Sequence, residues 1–589
     1  MSLRYLFDIE TDGLLRRMTQ IHCLVVMDID TEEIFRFDDT GKHRPITEGL
    51  TLLMEATELW GHNLWGFDIP AIQSYVPFFH PRCKVYDTLI LSRLFFNDML
   101  DRDLRSRPAN MPGNLYGRHS LESWGYRLGV FKSEFGKQLD GDWSTYSPEM
   151  LEYCVADVKA NLPLVRLFEP KIEKYQQSID LEHACAKIMT WQEMKGFPFH
   201  IKKAQQLESK LRSELEQLSD EMRSTFAFVK GNEFTPARDN KTRGYIAGAS
   251  MTRLKDFNPT SRDHIAFAFQ EFRGWEPVDF TDSGRPKIDE KILKEIGTEE
   301  SLKFARLLEL QKALGQLSEG NNAWLKLVES DGRIHHSCFL NTVTGRNCHV
   351  RPNLAQVNSE HEYRELFHPG EGRIQLGSDA AGLELRCLSH YIAGFGNTDF
   401  GKEVVEGDIH QKMADIAGVD RRTQKTITYA MMYGSGTTKL GLVAGASKKD
   451  AAKRGAELKE KLLTGIDGFK ELVTAVQEKA ESGYLRGIDG RPLKVRKPHA
   501  ALNTLLQGCG SSITKSWVVR ANELLKEAKI DYWPMAFVHD EMQLSVHPDH
   551  VEMASDLIKM AMKDVEHTFL FRVPLDCDVQ QGTCWAETH

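Results

Sequence analysis

Among its ten cysteines the sequence has no C-x-x-C pair. That excludes a zinc ribbon and a disulfide framework built on paired spacing, and it fits a reducing cytosol. No apolar run is long enough to cross a bilayer. The opening residues, "MSLRYLFDIETDG", are acidic and strand-like, so neither a secretory signal nor a transit peptide is expected there. There is no internal repeat and no low-complexity tract. Positive charge is not in excess either: 75 Lys and Arg against 84 Asp and Glu leave a net charge of −9. A uniformly basic, phosphate-binding surface is thereby excluded. Local basic stretches remain in "RGIDGRPLKVRKPH" (486–499) and "DRRTQK" (420–425). A basic groove on an acidic body stays compatible with a polyanionic partner.

The 589 residues, 41% of them hydrophobic, predict a globular protein of two to four domains. To about residue 170 strands and helices mix. "RYLFDIET" and "IHCLVVMDI" read as adjacent strands. "SPEMLEYCVADVKANLPLVRLF" reads as a helix, with Ser147 as cap and Pro148 in the first turn. From about 176 to 325 the pattern is helical and charged. "AQQLESKLRSELEQLSDEMRSTF" and "TEESLKFARLLELQKALGQLSEG" flank the polar, Gly-rich "VKGNEFTPARDNKTRGYIAGAS", expected as an exposed loop. Two long helices joined through a polar tip suggest a projecting arm; an ordinary helical bundle is the alternative. From 331 strands and helices mix again.

Carboxylates recur where apolar sequence should dominate. Asp8 and Glu10 stand two apart on a predicted strand and share one face. Asp68 follows in "HNLWGFDIP", and Tyr153 and Asp157 lie four apart on one helical face. Near the end, "FVHDEMQLSV" sets Asp540 and Glu541 at the junction of two short strands, where adjacent carboxylates repel and resist burial. Asp379 ends an apolar strand in "IQLGSDAAGLELR". Hard divalent cations take oxygen ligands, so carboxylate clusters of this kind suit them. In "DRRTQKTITYAMMYGSG", Arg421, Lys425, Tyr429 and Tyr433 recur every four residues, with Asp420 to cap the helix and Gly434 to end it. Two cations followed by two aromatics suit phosphate oxygens and then a sugar or base face.

The order D-x-E, D, Y-x-x-x-D resembles the tyrosine variety of the DEDD exonuclease superfamily. There the four carboxylates, here Asp8, Glu10, Asp68 and Asp157, hold two divalent metals, and the tyrosine, here Tyr153, helps position the attacking water. Asp379 and Val538-His539-Asp540-Glu541 resemble motifs A and C of the family A DNA polymerases, and R-x-x-x-K-x-x-x-Y-x-x-x-Y-G resembles their motif B. The resemblance implies that Asp379 and Asp540 bridge two Mg²⁺ ions, which Mn²⁺ can replace. Ala380 joins these metal-binding residues and Glu541 supports them. Arg421, Lys425 and His410 would contact the triphosphate, Tyr429 the sugar and Tyr433 the template base. Glu384 would crowd the ribose 2′ position. Arg346, Asn503 and Gln507 would read the minor groove, with His539 also contacting DNA.

"GLELRCLSH" and "KPHAALNTLLQ" place the likeness nearest the replicative polymerases of short-tailed lytic phages. The implied fold is a mixed α+β multidomain chain. A ribonuclease H-like exonuclease domain occupies 1–175, followed by a thumb (176–330), a first part of the palm (331–405), fingers (406–483) and a second part of the palm (484–589). The implied partners are primer-template DNA, deoxynucleoside triphosphates, a helicase-primase and a single-strand binding protein, in the cytoplasm of an infected bacterium. The thumb tip, about 226 to 256, is too short for thioredoxin docking to be expected. A single-subunit RNA polymerase is the nearest competing reading; Glu384 and the complete exonuclease set argue against it. A non-catalytic DNA-binding scaffold is the other.

Overall fold

The computed structural model describes residues 3–130, 143–281 and 283–589. The chain divides into two compact units. One holds the residues up to Phe197 together with His335–Ser359 and His368–His589; the other holds Pro198–Ile334 and Glu360–Phe367.

The first unit begins with a five-stranded sheet of β1 (Arg4–Thr11), β2 (Ile21–Asp28), β3 (Ile34–Asp38), β4 (Glu58–Gly61) and β5 (Lys84–Asp87), in the order β3-β2-β1-β4-β5. β1 runs antiparallel to β2 and parallel to β4. Along β1 the pleat sends Phe7 and Ile9 into one apolar cluster, with Leu24 and Val26. It sends Leu6 to the other face, where Leu151, Cys154, Val155 and Val158 of helix α1 (Pro148–Phe168) cover the sheet. By the period of two, Asp8 and Glu10 share the face of Leu6 and are directed toward α1. Ser147 caps α1 by accepting from Met150 N–H, with Pro148 in the first turn, as the sequence predicts. Helix α2 (Ile172–Lys195) follows, non-helical only at Tyr175 (φ −119°, ψ 21°). Residues 175 and 176, the expected domain border, lie inside this helix.

Later in the same unit, β6 (Ile374–Ala380), β7 (Tyr532–Val538), β8 (Glu541–Val546) and β9 (Cys577–Gly582) form an antiparallel sheet in the order β7-β8-β6-β9. Between β6 and β7 the chain is mostly helical. It includes α3 (Leu383–Ala393), α4 (Ile409–Ala417), α5 (Arg421–Met432) and the long α6 (Ala501–Glu527). One apolar cluster runs through the sheet and these helices, with Leu376, Leu388, Ile427, Trp517 and Leu544 among its members.

In the second unit the helices Ile201–Thr225 and Glu299–Leu314 pack together, and Glu214 takes both Arg306 donors at 2.7 and 2.9 Å. The segment expected as an exposed loop differs: Phe228–Phe234 pairs antiparallel with Met251–Asp256, and helices Arg262–Arg273 and Glu290–Ile296 follow. The reason is apolar anchoring at both ends of the polar tip. Val229 and Phe257 are buried with Phe226, Phe269 and Phe304, which closes the two arms into a hairpin. Among the described residues no helix is long and apolar enough to cross a membrane, and all ten cysteines are free thiols.

Candidate active site

Two acidic clusters form in the first unit. At the first, Asp8, Glu10 and Cys154 bring their polar atoms within 4.8 Å of one another. Cys154 donates from Sγ to the Asp8 carbonyl (3.3 Å) and carboxylate (3.5 Å). Its thiol is pushed well up by burial and by neighbours that include Cys23 and Asp8, so it is a neutral donor there. Asp68 enters from the turn before the helix Ile69–Tyr75 and accepts from Ile9 N–H at 3.3 Å. Burial, with Asp8 and Asp87 close by, drives its carboxyl well above the carboxylate range. Like charges crowded in low dielectric have this effect, and a cation among them reverses it. Asp157 is buried one turn beyond Tyr153 on α1, and the Tyr153 ring meets Trp143 edge-on at 5.7 Å. The structure thus joins Asp8, Glu10 and Asp68 beneath the helix that carries Tyr153 and Asp157. Sequence reasoning misses Cys154, because a lone thiol between Tyr153 and Val155 carries no charge pattern.

The second cluster lies at the end of the antiparallel sheet. Asp379 pairs across the ladder with Glu541 on one side and Asp578 on the other. The β7–β8 hairpin turns through His539 and Asp540, with His539 at φ +58°. Ala380 N–H donates to the Asp540 carbonyl at 3.1 Å, fixing that turn against the end of β6. Burial, then the charges of Asp540 and Glu541, push the Asp379 carboxyl up to about 7. Glu541 is different. Burial alone would raise it, but bonds from His589, Trp585 and Gln543 outweigh that and hold it below its ordinary value. Gln543 Nε2 lies at 2.7 Å and His589 Nδ1 at 2.8 Å, and Trp585 Nε1 also donates. Glu541 is therefore committed to these three partners, of which Gln543 and Trp585 are buried and His589 is exposed. Asp578, Trp585 and His589 reach this site only through strand pairing and chain return, which no local motif reports.

α5 stands beside this cluster. Asp420 caps it, accepting from Thr423 N–H at 3.0 Å, and Gly434 follows at φ +72°. Arg421 Nε donates to Asp408 at 2.6 Å. His410 is depressed by burial and then by the charges of Lys425 and Arg421, which places these three together. Its Nδ1 is buried with no hydrogen-bond partner among the described residues. The His410 and Tyr429 rings lie 6.1 Å apart, and Tyr429 and Tyr433 stack at 6.4 Å. Tyr433 donates to Glu384 at 2.6 Å, and Arg346 lies 3.6 Å from the same carboxylate. His539 meets His349 edge-on at 6.4 Å. Asn503 and Gln507 sit one turn apart on α6, both half-buried. Behind Arg346, a Cβ on Gly345 (φ +81°) would overlap Arg491 Nη1. Arg491 belongs to a buried ionic group with Asp489, Glu182 and Lys515.

The family model "DNA polymerase family A" matches residues 241–587. The chain belongs to DNA polymerase family A. Its similarity extends beyond that span. The DNA-directed DNA polymerases of Enterobacteria phage T3 and Escherichia phage T7 are each 33% identical to it, over 99% of this chain and 99% of theirs. A bacterial member, DNA polymerase I of Lactococcus lactis subsp. cremoris, is 27% identical over 48% of the chain. Among solved structures, the POL domain of Pol1 from M. smegmatis, in complex with DNA primer-template and dNTP, superposes with a TM-score of 0.74. It is 17% identical and covers 100% of this chain and 97% of that one. The family A fold is thereby shared even where sequence identity is low.

Proposed function

We propose that this family A polymerase extends a DNA primer on a DNA template with deoxynucleoside triphosphates, removes mispaired 3′ ends with a second, exonucleolytic site, and replicates a phage genome in the host cytoplasm. The observation that carries the reading is the placement of Asp379 and Asp540 at adjacent strand ends, with the Asp379 carboxyl pushed up to about 7 by burial and that neighbour. A site so crowded with negative charge and so little paired suits cation binding. The crowding of Asp68 with Asp8 supports the same reading for the first site, and the sheet order β3-β2-β1-β4-β5 under α1 supports a ribonuclease H-like exonuclease module.

Divalent cations, Mg²⁺ or Mn²⁺, held by Asp379, Asp540 and the Ala380 carbonyl in one site and by Asp8, Glu10, Asp68 and Asp157 in the other, would neutralise phosphate charge and activate the attacking oxygen. The chain's own residues position the substrates. Arg421, Lys425 and His410, which lie together, bind the triphosphate. Tyr429 packs on the sugar, Glu384 excludes a 2′-hydroxyl, and Tyr433 meets the template base. Arg346, Asn503, Gln507 and His539 hold the duplex. In the exonuclease site Tyr153 orients the water.

Asp540→Ala is expected to lower primer extension by about a thousand-fold or more, the loss of several kcal/mol of charge stabilisation, while single strands are still degraded. Asp8→Ala is expected to do the reverse. Normal extension by Asp540→Ala would overturn the polymerase-site assignment.

A further inference from the structure

A second basic surface lies in the first unit, away from both acidic clusters. A cavity of about 630 Å³ opens where the chain around Phe95 and Lys171–Tyr175 meets the hairpin near Tyr484–Pro492. Six of its lining residues are cationic and none is acidic, on a chain whose net charge is −9. Two of the six are already committed: Arg491 to Asp489 and Glu182, and Arg102 to Asp98 and the Tyr484 hydroxyl. Lys174, Lys479 and Arg486 are exposed and make no salt bridge among the described residues, and Lys171 donates only to the Leu167 carbonyl.

Most of the remaining lining is aromatic. Phe95, Phe96, Tyr175 and Tyr484 contribute. Phe95 and Tyr175 meet edge-on at 5.2 Å, and the Arg102 guanidinium lies 5.0 Å over Phe96. Tyr175 is also where α2 leaves helical geometry. Uncommitted cations could be a solvated surface, and aromatics could be core. The two interleaved around one open volume of ligand size, with no carboxylate, are what a phosphate and a base need together.

We propose that this cavity binds a nucleotide unit of single-stranded DNA, with Lys171, Lys174, Lys479 and Arg486 on phosphates and a base against the aromatic lining. A free nucleoside triphosphate shares that chemistry and is the other possible source of the ligand. The site is separate from the triphosphate-binding residues on α5.

The test uses the full chain carrying Lys174→Glu and Arg486→Glu together, two exposed positions outside both acidic clusters. Binding of a fluorescent oligo(dT) is followed in EDTA, to prevent degradation, over a series of salt concentrations. The double reversal is expected to weaken binding by about ten-fold at low salt and to reduce the salt slope by about 1.4, the share of two phosphates on a single strand. A 5-iododeoxyuridine oligonucleotide should crosslink to Tyr175, Tyr484 or Phe96 in the unsubstituted protein. In the second arm, loss of mant-dATP binding with oligo(dT) binding unchanged would support a nucleotide site and assign the free nucleotide as its ligand. Unchanged affinity for both probes, with no crosslink to the aromatic lining, would overturn the proposal. Extension of a primed template with a short overhang, expected to be unchanged, confirms that the variant is folded.

Discussion

Tyr433 donates its phenolic hydrogen to Glu384 Oε1 across 2.6 Å, tying the residue just past α5 to the first turn of α3. Burial and then this bond push the tyrosine hydroxyl up. Glu384 is thus held by Tyr433, with Arg346 approaching the same oxygen. If Glu384 excludes a 2′-hydroxyl, its position depends on this partner. Tyr433→Phe is expected to raise the ratio of ribonucleotide to deoxynucleotide incorporation by about five-fold, the equivalent of about 1 kcal/mol for a solvent-exposed, charge-assisted bond. Glu384→Ala is expected to raise it further. Single-nucleotide extension with matched rNTP and dNTP measures both; an unchanged ratio in Glu384→Ala would remove that residue from sugar selection.

Tyr429 stands between His410 and the Asp540 cluster, its hydroxyl raised by burial and by Glu384 and Asp540. Tyr429→Phe is expected to reduce dideoxynucleotide incorporation relative to deoxynucleotide by about a hundred-fold or more, the scale on which one polar group discriminates between substrates. Competition between ddTTP and dTTP on a primed template reads this directly.

Cys154 touches Asp8 as a neutral donor. Cys154→Ala is expected to leave single-strand degradation within about three-fold, a weak thiol bond being worth well under 1 kcal/mol. Asp157→Ala should abolish it. If instead Cys154→Ala is inactive and Cys154→Asp is not, the side chain at 154 belongs among the metal ligands.

The group Glu182, Lys515, Arg491 and Asp489 is almost wholly buried, with contacts of 2.7 Å. Glu182→Gln leaves two cations facing one carboxylate away from water. The expected cost is about 3–5 kcal/mol, seen as an earlier urea transition, and Gly345→Ala should be destabilising through its clash with Arg491.

Two imidazoles give a pH dependence. Burial and then the charges of Arg93 and Arg127 lower His119 from 6.5 to about 3, and burial with Arg572 lowers His390 to about 4. His390 stacks on Phe571 at 4.3 Å. In the folded state both stay neutral where the unfolded chain takes up protons. Their stabilising contribution is complete above pH 6.5 and is lost as pH falls toward 4, by about 1.4 kcal/mol per pH unit for each group. Urea midpoints measured from pH 7.5 to 4.5 should fall in this window, and His390→Gln should flatten the slope.

The elements around the sites were largely legible. Ser147, Pro148, Asp420 and Gly434 act through neighbours within a few residues, so capping rules place the start of α1 and both ends of α5 from sequence alone. The pairing of Asp8 with Glu10 follows from the pleat. The hairpin at 228–256 was not legible, because its stability comes from Val229 and Phe257 joining phenylalanines as distant as Phe304. Nor were the partners of Glu541.

The order of residues by itself determined which side chains share a face, where helices begin and end, and that carboxylates stand in unusual apolar settings. These are local consequences of backbone geometry. Only the tertiary structure decided that Asp379 lies between Glu541 and Asp578, that Glu541 is bound by Trp585 and His589, and that Tyr433 reaches Glu384. Burial and electrostatic coupling depend on groups separated by tens to hundreds of residues, and chain folding alone sets those distances.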